Sequence, residues 1–167
     1  MNFDPQPTLR GQLLELRPLR ADDFPALYAV ASDPLIWEQH PNNDRYQESV
    51  FREFFRGALD SGGALLVIDR KDGSVAGSSR YHGFRDQTDE IEVGWTFLAR
   101  AYWGGRYNAE MKQLMLQHAF KSYRTVLLVI GARNLRSQKA AQKIGAVRAE
   151  SRLSPDGEEK YVYRVKA

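Results

Sequence analysis

Two adjacent glycines, Gly104 and Gly105, stand inside the run WGGRYNAE at residues 103–110, between an apolar stretch and a long amphipathic one. Glycine leaves the backbone bare and free to take φ > 0. A helix that starts there leaves its first N–H groups without internal partners, with the positive end of its dipole at the same spot. Bare donors at a positive helix end bind phosphate, so this loop points to a phosphorylated ligand. The other reading is a plain strand–helix turn with Trp103 in the core. The charges are unevenly spread. Residues 133–152 carry Arg133, Arg136, Lys139, Lys143, Arg148 and Arg152 against the single acid Glu150, while acids gather at Asp86, Asp89, Glu90 and Glu92. A polyanion favours the first region and a cation the second. A solvated basic helix face explains the first region equally well.

The elements on either side of the glycines must position them. EIEVGWTF at 90–97 reads as a strand. After the loop, Tyr107, Met111, Leu114 and Met115 recur at helical spacing, which predicts a helix to about residue 122. TVLLVI at 125–130 is apolar throughout, as buried central strands are. Asn134 is a fitting N-cap for a helix that ends at Gly145. Upstream, residues 13–19 alternate as a strand with Pro18 at an edge or an end. Asp22 or Asp23 can cap a helix carrying Phe24, Leu27, Tyr28 and Ala31, which stops near Asp33 and Pro34. A second helix at about 47–59 sets Val50, Phe51, Phe54 and Phe55 on one stripe and ends at Ser61, Gly62 and Gly63. Strands at 64–69 and 74–82 flank a hairpin turn at 70–73. Strands at 146–153 and 160–165 close a second hairpin around Ser154, Pro155, Asp156 and Gly157. Residues 1–10 read as a loose N-terminus.

The predicted order is β α α β β β α β α β β. This is an α+β fold with a mostly antiparallel, twisted central sheet. One crossover, from strand 90–97 through helix 104–122 to strand 125–130, makes those two strands parallel neighbours.

Bulk composition sets limits. A chain of 167 residues fits one domain, here 1–167, and folding at this size buries roughly 70% of the unfolded surface. With 43% hydrophobic and 27% charged residues, the chain has an ordinary globular composition. The absence of cysteine excludes disulfides, thiolate metal sites and a cysteine nucleophile. The polar start and the lack of a long apolar run argue against a signal peptide and a membrane span, which leaves the cytoplasm as the default location. The histidines His40, His82 and His118 are scattered without metal-ligand spacing, so no metal is expected. A net charge of +3 is too small to imply nucleic-acid binding.

The element order and two motifs resemble the GNAT superfamily of acyl-CoA-dependent N-acetyltransferases, and more narrowly its ribosomal-protein-alanine acetyltransferase branch. YWGGRYNAEMK at 102–112 is similar to that branch's W-G-x-G-Y-A-x-E, and NLRSQKAAQKIGA at 134–146 to its N-x-x-S-x-x-x-x-x-K-x-G-F. The resemblance covers about residues 11–165. It implies acetyl-CoA as cosubstrate, its pyrophosphate cradled by the main chain at Gly104, Gly105, Arg106, Tyr107 and Asn108. Arg106 stands where the family's second glycine would be; its Cβ takes space there, and its guanidinium can contact phosphate directly. Asn134 would meet the pantetheine arm, and Ser137 would protonate the leaving thiolate. The tyrosine that does so in many relatives is replaced here by Ala141. Lys143, with Arg136 or Lys139, would attract the nucleotide phosphates.

Glu92, in EVGW, is similar to the branch's E-[IV]-G-[YW] and is the candidate base. Acyl transfer needs a neutral amine, and a partly desolvated carboxylate can accept the amine's proton. The structural alternative is an ion pair with a basic residue. Strand alternation puts Glu90, Glu92 and Thr96 on one face, and Ile91, Val93, Trp95 and Phe97 on the other. The parallel strands should splay near residues 97–100, where backbone at Phe97 and Leu98 would meet pantetheine and an N–H near residues 95–97 would steady an oxyanion. The acceptor would bind among residues 33–45 and 76–84, where Trp37, His40, Tyr81 and His82 are available.

The expected activity is transfer of an acetyl group to a primary amine, a protein N-terminus or a small molecule, by direct attack in a ternary complex. A homodimer through exposed aromatic strands is compatible with the sequence. A catalytically weak acyl-CoA-binding module is the alternative. An RNA-binding role for the basic run is a third reading, without an aromatic stacking motif to support it.

Overall fold

The computed structural model describes residues 2–155 and 157–167. Twelve elements follow the predicted order, with one short strand added at the start: β1 Leu9–Arg10, β2 Leu14–Pro18, α1 Phe24–Ala31, α2 Glu48–Ser61, β3 Ala64–Asp69, β4 Val75–His82, β5 Glu90–Leu98, α3 Arg106–Ala119, β6 Thr125–Gly131, α4 Leu135–Lys143, β7 Val147–Leu153 and β8 Glu159–Lys166. The strands form one sheet in the order β1-β2-β3-β4-β5-β6-β8-β7. Every neighbouring pair is antiparallel except β5 and β6, which the α3 crossover makes parallel.

Helices cover both faces of the sheet. On one face Met111, Met115 and Ala119 of α3 and Ala141 of α4 pack with Leu65, Val67, Ile91, Val93 and Val126. On the other, Leu27 and Ala31 of α1 and Phe51, Phe55 and Ala58 of α2 pack with Ala64, Leu66 and Phe97. This explains the unbroken apolar run of β3: alternate side chains fill different cores. In β6 Val126, Leu128 and Gly131 are buried, while Leu127, Val129 and Ile130 are half-buried, so the apolar run expected as a buried central strand is fully covered on one face and partly on the other. Gly62 ends α2 in the left-handed region at φ 69°.

Residues 2–10 are not loose. Phe3 packs edge-on against Tyr81 at 5.1 Å and Tyr123 at 5.1 Å, and the His118 ring nitrogen lies 2.7 Å from the Asp4 carbonyl. Met1 lies outside the described residues, as does Asp156 of the predicted closing turn. Asp23 precedes α1, but its carboxylate accepts from the Arg20 N–H and pairs with both terminal nitrogens of Arg17 instead of capping the helix. Burial opposes the Asp23 charge, yet the Arg17 hydrogen bonds and the Arg20 N–H hold its pKa below the ordinary carboxylate value.

Candidate active site

β5 and β6 pair only from Glu90↔Thr125 to Glu92↔Leu127. The splay therefore starts at Val93, well before the expected 97–100. The cause is visible on the other side of β5. Its register with β4 gains a residue between Gly94 and Phe97, and Trp95 takes φ 51°. A bulge with a non-glycine residue in the left-handed region is strained and re-aims the strand. It also inverts the predicted alternation beyond residue 94. Phe97 joins the core under α1 and α2, whereas Ile91 and Val93 face α3. Thr96 turns to the α3 side, where it accepts a hydrogen bond from Lys112 at 2.9 Å and meets the Ser79 hydroxyl at 2.7 Å.

Two adjoining cavities occupy and flank this notch. The larger, about 300 Å³, is lined by Thr96, Phe97, Leu98, Trp103, Gly104, Gly105, Arg136, Lys139, Lys143 and Ile144, among others. Gly104 and Gly105 have φ 109° and 110°, values that L side chains rarely adopt, and Gly105 is the N-cap of α3. Open space surrounds the position of a Gly104 Cβ, and the Lys143 ammonium lies 3.9 Å from that of Gly105. Arg136 stacks on Trp103 at 3.7 Å and donates to the Ile36 carbonyl at 3.2 Å. Bare N–H groups at a helix start, a cation above them and an apolar wall beside them fit a diphosphate on a slender chain, which is the chemistry of coenzyme A. Arg106 is exposed and Tyr107 packs edge-on against Tyr102 at 4.8 Å; neither lines either of these two cavities, so Arg106 does not fill the turn.

Across the seam formed by His40, Thr96, Asn108, Ser137 and Ala140 lies the second cavity, about 190 Å³. Its lining brings together Glu92, Asn108, Asn134 and Ser137. Glu92 is half-buried, and burial raises its pKa against the opposing pull of His82, Arg152, Lys160 and Arg80. Among the described residues no hydrogen bond or salt bridge restrains its carboxylate; the basic residues His82, Arg152, Lys160 and Arg80 act on it only through charge. Its Oε2 lies 3.3 Å from where a Cβ of Gly94 would be, so the glycine leaves room for it. Asn134 is buried and caps α4, its Oδ1 accepting from the Ser137 N–H at 3.3 Å. Of the residues proposed for the acceptor, Trp37 and Tyr81 are core: the first donates to the Ala31 carbonyl, the second to that of Met115. His40 lines both cavities, and burial pushes its pKa down to about 4, so it is neutral. His82 is exposed, opposite Glu92 in the β4–β5 register.

Sequence reasoning missed three cations. Lys112 lines the smaller cavity from α3, and burial pushes its pKa down to about 8. The signal was available: Lys112 follows Met111 and precedes Met115 by three, which places it on the core-facing arc of the helix. Arg45 and Arg80 flank the Phe54 ring at 4.6 and 5.3 Å, and Arg80 also lies 4.6 Å from the Trp95 ring. Burial lowers both guanidinium pKa values to about 10. Nothing in the local pattern of either residue announces this, because the stack joins three distant segments.

Residues 14–147 match the family model described as Acetyltransferase (GNAT) domain. Similar solved structures include a GNAT-family protein from Chromobacterium violaceum ATCC 12472, at 22% identity and TM-score 0.86 over 99% of this chain and 88% of that one. Another is an acetyltransferase from Agrobacterium tumefaciens str. C58, at 26% identity and TM-score 0.75 over 96% of this chain and 95% of that one. The ribosomal-protein-S5-alanine acetyltransferase from Vibrio fischeri shares the fold at 13% identity and TM-score 0.71, with 96% of each chain covered. No curated protein matches the chain.

Proposed function

The chain belongs to the GNAT family of acetyltransferases, and from that premise we propose that it transfers the acetyl group of acetyl-CoA to a primary amine by direct attack within a ternary complex. The observation that carries this reading is the meeting of the two cavities: a glycine turn at a helix start opens into one, and the carboxylate of Glu92, which makes no salt bridge among the described residues, lines the other. Bound acetyl-CoA supplies an activated acetyl group on a thioester carbon. The α3 N–H groups from residue 106 onward and Lys143 hold its diphosphate, and Phe97, Leu98 and Asn134 flank its arm.

Glu92 takes the proton from the incoming amine. Burial raises its pKa toward the amine's, which makes the ionised carboxylate a stronger proton acceptor. Lys112, fixed by Thr96, sets a buried cation beside the negative charge that develops as the amine attacks. Ser137, which lines both cavities, returns a proton to the leaving sulfur. A thiol is a fair leaving group, with a pKa of about 8.5, so modest assistance suffices.

The test is thiol release from acetyl-CoA on mixing with a panel of amines. The expected result is amine-dependent release with acetylated amine formed in equal amount. Coenzyme binding with no amine-dependent release across the panel favours a binding module over an enzyme.

A further inference from the structure

The smaller cavity has the wrong charge for a simple amine. Arg45, Lys112 and Lys160 line it against one carboxylate, Glu92, while His40 is neutral. Arg80 adds a further cation behind Trp95. An amine arrives in water mostly as an ammonium, which this wall repels. The excess does not serve the nucleotide phosphates, because Arg136, Lys139 and Lys143 line the other cavity for that purpose.

Arg45 is the telling residue. Among the described residues its guanidinium makes no hydrogen bond or salt bridge; the neighbouring Asp44 acts on it only through charge, and its ring contacts are the faces of Phe54 and Trp37, at 4.6 and 5.7 Å. The loop that carries it is seated on the end of β6, since a Cβ on Gly131 would meet Pro41 at 2.7 Å. Aromatic faces and a seated loop hold the guanidinium in place while its donors stay unused. Arginine presents those donors as a planar fork that matches a carboxylate. Arg45 is half-buried, and a partly desolvated cation with no salt bridge gains when a ligand carboxylate supplies a hydrogen-bonded counter-charge.

We propose that the acetyl acceptor is an amine bearing a carboxylate within a few bonds of the nitrogen, held by Arg45 with Lys160 while Glu92 faces the amine. This deepens the acetyltransferase reading and rests on it. Two sources share the chemistry: a free α-amino acid, and a peptide N-terminus followed by an acidic residue.

The experiment compares matched pairs under saturating acetyl-CoA: L-leucine against L-leucinamide, and the C-terminally amidated tripeptides Ser-Asp-Ala and Ser-Asn-Ala. The anionic member of at least one pair is expected to have a kcat/KM about 10- to 100-fold higher, the range of one charge-assisted contact. Which pair responds identifies the source. In Arg45→Gln the ratio falls toward one; in Arg45→Lys much of it returns, and Lys160→Gln lowers it independently. Calorimetric titration with acetyl-CoA accompanies each variant and shows that the fold and the coenzyme cavity survive. Equal rates within both pairs, or preference for the neutral members, overturns the anionic acceptor and leaves the acetyltransferase reading intact. Bound coenzyme with no turnover of either anionic probe also overturns it. Failure of the wild-type protein to bind acetyl-CoA overturns both.

Discussion

Glu92 and Lys112 face one cavity, and burial moves their pKa values toward each other from opposite sides. The proposed chemistry needs the carboxylate ionised and the lysine charged. The kcat profile at saturating substrates is therefore expected to rise with an acid limb above pH 4.5, from Glu92, and to fall near pH 8, from Lys112. Glu92→Gln should lower kcat about 100-fold and abolish the acid limb. An unchanged rate and profile would remove Glu92 from the chemistry. Lys112 also has a thermodynamic signature. Below about pH 8 it is charged in both folded and unfolded chains, and the folded state carries the full cost of burying it. Between about 8 and 10.5 the folded chain holds a neutral amine while the unfolded chain stays protonated, so stability rises with pH across that window. Lys112→Met should thus stabilise the protein by about 2–3 kcal/mol at neutral pH, with the gain shrinking toward pH 10, while kcat drops. Denaturant titrations at several pH values check it. A variant destabilised at every pH would show that Lys112 is a packing residue.

The α3 helix connects the glycine turn to the rest of the fold, and the glutamate of its motif does the anchoring. The Glu110 carboxylate accepts the N–H groups of Gln12, Leu13 and Leu14 at 2.9, 2.9 and 2.7 Å. It thereby ties the helix to the start of β2, on the α3 side of the sheet. Glu110→Ala leaves those donors unpaired and should cost about 2–4 kcal/mol of folding stability in urea titration. A normal stability with lost turnover would instead place Glu110 in the chemistry. At the other end of the motif, Gly105→Val forces a β-branched residue to φ 110° and sets its side chain toward Lys143. The expected result is about tenfold weaker acetyl-CoA binding with most of the fold's stability retained.

For the whole molecule, the architecture was legible because each element carried its own signal. The stripe at Phe51, Phe54 and Phe55, the cap at Asn134 and the unbroken run of β3 all match the structure. The parallel pair was legible from the crossover rule alone. The local motifs pointed to Gly104, Gly105, Glu92, Asn134 and Ser137, and all five line one or both of the adjoining cavities. It was hidden where it depended on a bulge or on distant segments. Trp95 flips the second half of β5, which strict alternation cannot anticipate, and Arg45, Phe54, Arg80 and Trp95 meet only in the folded sheet. The central claim is that the glycine turn grips a diphosphate and so hangs a thioester beside Glu92. Calorimetric titration of the wild-type protein with acetyl-CoA and with acetyl-pantetheine, which lacks the nucleotide and its phosphates, tests it most directly. The account predicts that acetyl-CoA binds at least about tenfold more tightly, a difference of about 1.4 kcal/mol. Equal affinities, or no heat from acetyl-CoA at millimolar concentration, would contradict it.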